Sequence, residues 1–264
     1  MAVMSPLAVL DTARSRPRAV GYYLIMLFVV AVFTALWLFE GHYLFTAWFP
    51  SLYDELTPIN GVAAGAFMTL MLGCALASFA RPKQMHGPSK VLVVGAGMLG
   101  ILLPLAFVLS DPLVTGVLLI VTLSVVGLVV WLHPARSELD PTRRFDPQYP
   151  LLGLTVLIAV PFLWLALDLQ WSQMILDDEV ANRWFYGGLA MYLSTIVVLA
   201  GLASVDGAHR RTLVGATVFL ASMLGLVSVV NPGELHSFGV VGGGLVLVWC
   251  VAVILAWLRS PGRL

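Results

Sequence analysis

Residues Val91 to Gly100 read VLVVGAGMLG, with Gly95, Gly97 and Gly100 in the G-x-G-x-x-G spacing of a dinucleotide-binding strand–turn–helix. Four apolar residues precede the first glycine, as a buried strand would supply. The chain that follows, ILLPLAFVLSDP, carries on apolar, with neither the crossover nor the ribose-binding acid that such a motif requires. Two readings compete, and the solvent separates them. In water the stretch opens a nucleotide site; in lipid it is a helix whose small residues let a neighbour approach closely.

Composition decides for lipid. The chain of 264 residues is 60% hydrophobic and only 11% charged, with a mean hydropathy of +0.96. Soluble domains are about 45–50% apolar and about a quarter charged. Too little polar sequence remains here to coat a soluble globule. A lone strand in hydrocarbon would leave its backbone groups unpaired, so VLVVGAGMLG is read as helix.

Crossing about 30 Å of hydrocarbon takes about 20 apolar residues. Eight segments meet that length: 20–39, 58–80, 91–109, 113–133, 151–168, 184–203, 212–230 and 238–257. The first follows Arg14, Arg16 and Arg18 but lacks a small-x-small cleavage site, so it is read as a retained span. The N-terminal tail, the loops 81–90, 134–150 and 204–211, and the C-terminal tail carry every Lys and Arg except Arg183. The positive-inside rule then places both termini in the cytoplasm of a plasma-membrane protein.

The second half of the chain echoes the first. Val94-Gly95-Ala96 returns as Val214-Gly215-Ala216, each Val eighteen residues ahead of a proline, Pro112 and Pro232. Leu-Trp-Leu at 36–38 returns at 163–165, Gly65 and Met68 match Gly188 and Met191, and Ala77-Ser78 matches Ala203-Ser204. The expected fold is an all-α polytopic membrane protein of eight transmembrane helices, arranged as two parallel four-helix repeats. Its parts are a cytoplasmic tail 1–19, a first repeat 20–133, a cytoplasmic linker 134–150, a second repeat 151–257 and a cytoplasmic tail 258–264. The repeats would be related by an axis along the membrane normal, because four spans is an even number.

Candidate chemistry is sparse. No Lys falls within the eight segments, which excludes a retinal Schiff base, and no buried acid pair marks a proton relay. A net charge of zero and a pI near 7.0 argue against nucleic acid as a partner. Cys74 and Cys250 lie deep in apolar runs and are read as packing residues. His86, His133 and His209 stand in or beside basic loops and are expected to be solvated. Two E-x-H pairs, Glu40/His42 and Glu234/His236, mark outer span ends and form a candidate metal set. The competing reading makes them interfacial anchors, with Asn231-Pro232-Gly233-Glu234 opening the eighth span as N-cap, first-turn proline and capping-box glutamate. The outer loops 40–57 and 169–183 carry Asp54, Glu55, Asp177, Asp178 and Glu179, an acidic lid mixed with aromatics as in short interfacial helices.

The layout of two four-span halves, each with a longer outer loop after its first span, is similar to haem A synthase. That resemblance implies a haem site built from paired intramembrane histidines. Near the corresponding ends this chain has His236, but Asn60, Asp111 and Asn182 elsewhere. The leading expectation is therefore a non-enzymatic membrane protein, an accessory, assembly or binding component acting through its acidic outer face. Its partners would be the bilayer, other membrane subunits or a cationic extracytoplasmic protein, with no cofactor expected. The alternatives are a small-solute transporter and a haem- or metal-ion-handling protein.

Cysteine labelling of intact cells from outside is expected to reach Asp54→Cys and Asp178→Cys but neither His86→Cys nor His209→Cys. External labelling of position 209 would overturn the orientation.

Overall fold

The computed structural model describes residues 6–41, 43–46, 58–105, 108–109, 111–140, 145–176 and 185–260. Among the described residues nine α-helices follow in order: α1 (Pro6–Leu36), α2 (Tyr43–Thr46), α3 (Pro58–Ala80), α4 (His86–Leu105), α5 (Pro112–Leu132), α6 (Tyr149–Ile175), α7 (Phe185–Val205), α8 (Arg210–Val230) and α9 (Gly239–Leu258). All but the short α2 are long and apolar enough to cross a membrane, eight in total. The chain is an all-α, multi-pass membrane protein.

Within each of two groups the helices pack in sequence order, and the outermost pair closes the ring. Helices α1, α3, α4 and α5 form one group, with α5 returning to α1; α6, α7, α8 and α9 form the other, with α9 returning to α6. The groups meet through four inner helices: α3 lies on α8, α4 lies on α7, and the diagonals α3–α7 and α4–α8 also touch. Burial follows that order. The apolar stretch of α7 is 67% buried and that of α5 only 11%, so α5 shows most of its surface to lipid. A residue facing lipid needs only to be apolar, which is why exposed Val, Leu and Trp are dense on the outer helices.

VLVVGAGMLG lies wholly inside α4. A β-carbon at Gly95 would collide with the Met71 thioether of α3, and one at Gly100 would come 3.0 Å from the Thr122 hydroxyl of α5. Gly97 has nothing within 4 Å. Two of the three glycines are contact points, as small residues in membrane helices usually are. Backbone meets backbone where α8 crosses α9, and a β-carbon at Gly243 would stand 2.6 Å from the Gly225 carbonyl oxygen. Trp249 of α9 is buried and donates its indole N–H to the Leu154 carbonyl of α6 at 2.8 Å. Cys74 and Cys250 are buried free thiols, in keeping with a packing role.

Three expectations need correction. Asn231 to Glu234 do not open the last span. Asn231 instead caps the end of α8, the chain reverses through a turn closed by the Ser237 N–H on the Glu234 carbonyl, and α9 starts at Gly239. His236 and Gly239 there hold φ of 65° and 68°, the left-handed geometry a reversal needs. The presumed outer loop from 169 begins as helix, because α6 continues to Ile175 with Leu169, Gln170 and Gln173 buried, and the Gln173 amide oxygen accepts the Gly187 N–H at 3.0 Å. Finally, α1 starts at Pro6, well inside the expected tail.

Gly243→Ala is expected to destabilise the detergent-solubilised protein by about 1–3 kcal/mol, since the obstacle is backbone and cannot swing aside. Gly97→Ala should be neutral or slightly stabilising in the same thermal melts.

Candidate functional site

The polar residues gather at the face carrying the basic loops, where α3 meets α4 and α7 meets α8. Lys90, in the first turns of α4, reaches across the junction between the two helix groups and forms an ion pair with Asp206 in the α7–α8 turn. Both side chains are almost fully buried, at 5% and 1% exposure. The second oxygen of Asp206 accepts the Ala208 and His209 backbone N–H groups at 3.1 and 3.2 Å, bracing the start of α8. His209 donates its Nδ1–H to the same carboxylate at 3.2 Å. Burial alone would raise the Asp206 pKa, but the Lys90 ammonium and the hydrogen bonds hold it below the ordinary carboxylate value. Burial, then the charge of Lys90, lowers the His209 pKa, so its ring is neutral at pH 7.

The cluster continues into the first helix group. His133, just past α5, is 2% exposed. Its Nδ1 accepts the Ala135 N–H at 3.1 Å, so the proton sits on Nε2, which faces the Ser89 hydroxyl at 3.3 Å. Ser89 donates to Ser78 of α3 at 2.9 Å or to the Met85 carbonyl at the same distance. The His86 ring stands between the other two imidazoles, with centroids 6.0 Å from His133 and 5.9 Å from His209. Burial, with the nearby His86 charge, pushes the His133 pKa down to about 4. The expectation of solvated histidines is corrected for His133 and His209: neighbouring helix ends close over them.

A second cation is buried alongside. Arg210 donates Nε–H to the Ala203 carbonyl at 3.1 Å and both terminal nitrogens to the Asp146 carboxylate, at 3.2 and 3.1 Å. The Asp146 and Gln148 N–H groups bond the carbonyls of Val205 and Ser204, each at 2.8 Å, which fastens the linker to the end of α7. Reading the loops by charge alone missed this cluster. A signal was present: Lys90 and Arg210 each stand four residues ahead of a Val-Gly-Ala, 120 residues apart, just as Ser78 and Ser204 each follow an alanine at the end of a span.

At the opposite face the inner helices of the two groups line a cavity of about 250 Å³. Its walls come from α3, α4 and α7, with Leu36 and Tyr43 at one side. Asn60 and Tyr192 supply polarity; Met68, Leu99, Gly188 and Met191 supply apolar surface. Beside Asn60, its amide nitrogen meets His236 Nδ1 at 3.1 Å, and the Tyr186 ring lies 5.1 Å from the imidazole.

Of the candidate metal set, His236 thus sits against Asn60 and Tyr186, and Glu234 is exposed. His42, the Glu40 side chain and the acidic lid of Asp54, Glu55, Asp177, Asp178 and Glu179 lie outside the described residues. Glu234 and His236 lie in the α8–α9 turn, while α1, which runs toward Glu40, has its main packing in the other group. Among the described residues, no three His, Cys, Asp or Glu side chains come together as metal ligands. Comparison of the chain with protein-family models, curated proteins and solved structures finds no match to any of them.

Removing one member of a buried ion pair leaves the other charged and unpaired, which costs about 3–5 kcal/mol. Lys90→Met should lower stability by that order, and Lys90→Met/Asp206→Asn should recover most of it, because Asn keeps the acceptor for the α8 amides. Thermal melts of the single and double variants check this. The pH response follows from the lowered histidine pKa values. An unfolded histidine titrates near 6.5, so the stability gained from neutral His133 is full above that pH and is lost as the pH falls through about 4. The loss is expected to reach the order of 2 kcal/mol. A His133→Asn variant should show a shallower fall over the same range.

Proposed function

We propose that the chain is a non-enzymatic integral membrane protein that binds a small, largely apolar solute between its two helix groups, as a binding or accessory component open to the acidic side of the plasma membrane. The observation that carries this reading is the cavity of about 250 Å³ walled by helices from both groups. A concave, mostly apolar pocket with a few placed polar groups is the usual form of a small-molecule site. Asn60 would orient the solute, beside the Tyr192 ring, whose hydroxyl donates to the Leu220 carbonyl at 2.7 Å. Neither is an acid, base or nucleophile suited to turnover at neutral pH, which favours binding over catalysis.

The proposed architecture is a parallel duplication with both termini cytoplasmic. It is supported by the matched packing of α3 on α8 and α4 on α7, and by the equivalent positions of Lys90 and Arg210 in the sequence. Met68 and Met191, themselves a repeated pair, both line the cavity, as expected of a site on a pseudo-two-fold axis. One observation favours transport as a second reading. The groups are tied together by the buried Lys90–Asp206 ion pair at the basic face, whereas at the other face a cavity lies between their inner helices beside the Asn60–His236 hydrogen bond, as in a carrier open to one side.

Mass spectrometry of small molecules extracted from the purified protein tests the binding reading. Wild type is expected to retain a discrete species that Ala64→Phe, which fills the cavity, loses at equal folded yield. Identical extracts from both proteins would remove the cavity as the site.

A further inference from the structure

At the basic face a second recess, of about 410 Å³, opens between the start of the membrane-spanning part of α1, the turn joining α3 to α4, and Pro134 beyond α5. Tyr22 and Tyr23 line it from α1, and Arg81, Lys83 and Gln84 line it from the turn. The small side chains of Ala19 and Ala80 leave the space between them. The turn is held by its own backbone, the Gln84 and Met85 N–H groups both bonding the Arg81 carbonyl at 3.0 and 2.9 Å. Its two cations are therefore presented from a fixed frame rather than a loose tail.

Their charge is uncompensated. Lys90 and Arg210 at the same face are each neutralised by an aspartate, whereas Arg81 and Lys83 are exposed and make no ion pair among the described residues. Among the described residues, no carboxylate lines the recess. One residue before Ala19, the Arg18 guanidinium is held 5.3 Å over the Trp131 ring and adds to the positive potential. The depth is that of a headgroup, since α3 leaves its apolar span at Ala80 and the apolar stretch of α1 begins at Pro17. From the recess, Val20, Leu24, Leu27 and Phe28 run along α1 as one exposed apolar stripe.

We propose that this recess binds the phosphate headgroup of an anionic phospholipid, with Arg81 and Lys83 on the phosphate and the acyl chains along the α1 stripe. Basic pockets at the ends of membrane helices suit such headgroups, each Lys or Arg adding about 1 kcal/mol. The stripe separates a lipid from a free phosphate ion, which would use the cations alone. Tyr23, exposed beside the recess, completes the fit: its phenol ring packs on the glycerol backbone while its hydroxyl remains at the wet boundary.

Thermal shift of the full-length protein in neutral detergent, titrated with dioctanoyl phosphatidylglycerol, dioctanoyl phosphatidylcholine or inorganic phosphate, tests this. Phosphatidylglycerol is expected to stabilise saturably and the other two hardly at all. Arg81→Gln/Lys83→Gln should weaken the phosphatidylglycerol response by about tenfold or more without changing the melting temperature in its absence. Arg211→Gln, which removes an exposed charge outside the recess, should leave the response intact. Equal stabilisation by phosphatidylcholine, an unchanged response in the double variant, or the same weakening by Arg211→Gln would each overturn the site. Equal stabilisation by inorganic phosphate would overturn its assignment to a lipid.

Discussion

Two opposite charges taken out of water determine how the helix groups can sit. Lys90 belongs to α4 and Asp206 to the turn before α8, so their pair bridges the groups where neither side chain can be hydrated. A buried ion pair adds little net stability compared with apolar residues of the same shape, but separating its members is expensive. Arrangements that slide α4 away from the α7–α8 turn strand both charges. The pair therefore acts on specificity, selecting one register between surfaces that are otherwise nearly uniform Val, Leu, Ala and Gly. The carboxylate that receives Lys90 also braces the turn leading into α8 and orients His209, so the register and the approach to that helix are set together.

Elsewhere the helices are held by close approach rather than polarity. Gly95 on Met71, Gly100 on Thr122 and Gly243 on Gly225 are places where backbone or side chain fits only because a β-carbon is missing. In lipid no water-driven force favours helix association, and such contacts take its place. The two faces then differ in kind. At the basic face polar groups and helix ends close the junction, and at the other face the same inner helices diverge around the Asn60 cavity. Helices packed closely at one end and spread more widely at the other form a pocket without any special pocket-building element.

Much of the fold was legible because hydrocarbon is a severe filter. Length and apolarity located all eight spans, and the absence of a crossover after VLVVGAGMLG ruled out a nucleotide fold even though the glycine spacing matched. What escaped was whatever depends on which groups face each other. His133 and His209 look like loop residues because they are loop residues; their burial comes from helix ends that pack over them. Lys90 was assigned to a loop because an apolar-segment boundary falls where hydropathy rises, and a buried cation paired across the fold does not raise it. Asn231-Pro232-Gly233-Glu234 has the residues of a helix start, yet the chain has to reverse before α9 can enter, and His236 and Gly239 supply the left-handed angles later. The cavity was foreshadowed only by the repeated Gly65/Met68 and Gly188/Met191, whose meaning depends on two halves facing one another.

The junction of the two groups requires α4 and α8 to meet at the basic face, and a direct crosslink reads that contact. A β-carbon at Gly87 would lie 2.8 Å from the β-carbon of Thr212, and a disulfide holds such atoms about 3.5–4.5 Å apart, so a small relaxation suffices. In a Cys74→Ala/Cys250→Ala background, Gly87→Cys/Thr212→Cys is expected to form an intramolecular disulfide on mild oxidation in the native membrane, seen as a faster-migrating monomer that reverts on reduction. A chain that stays uncrosslinked, or that links only to a second copy, would contradict the contact between the halves.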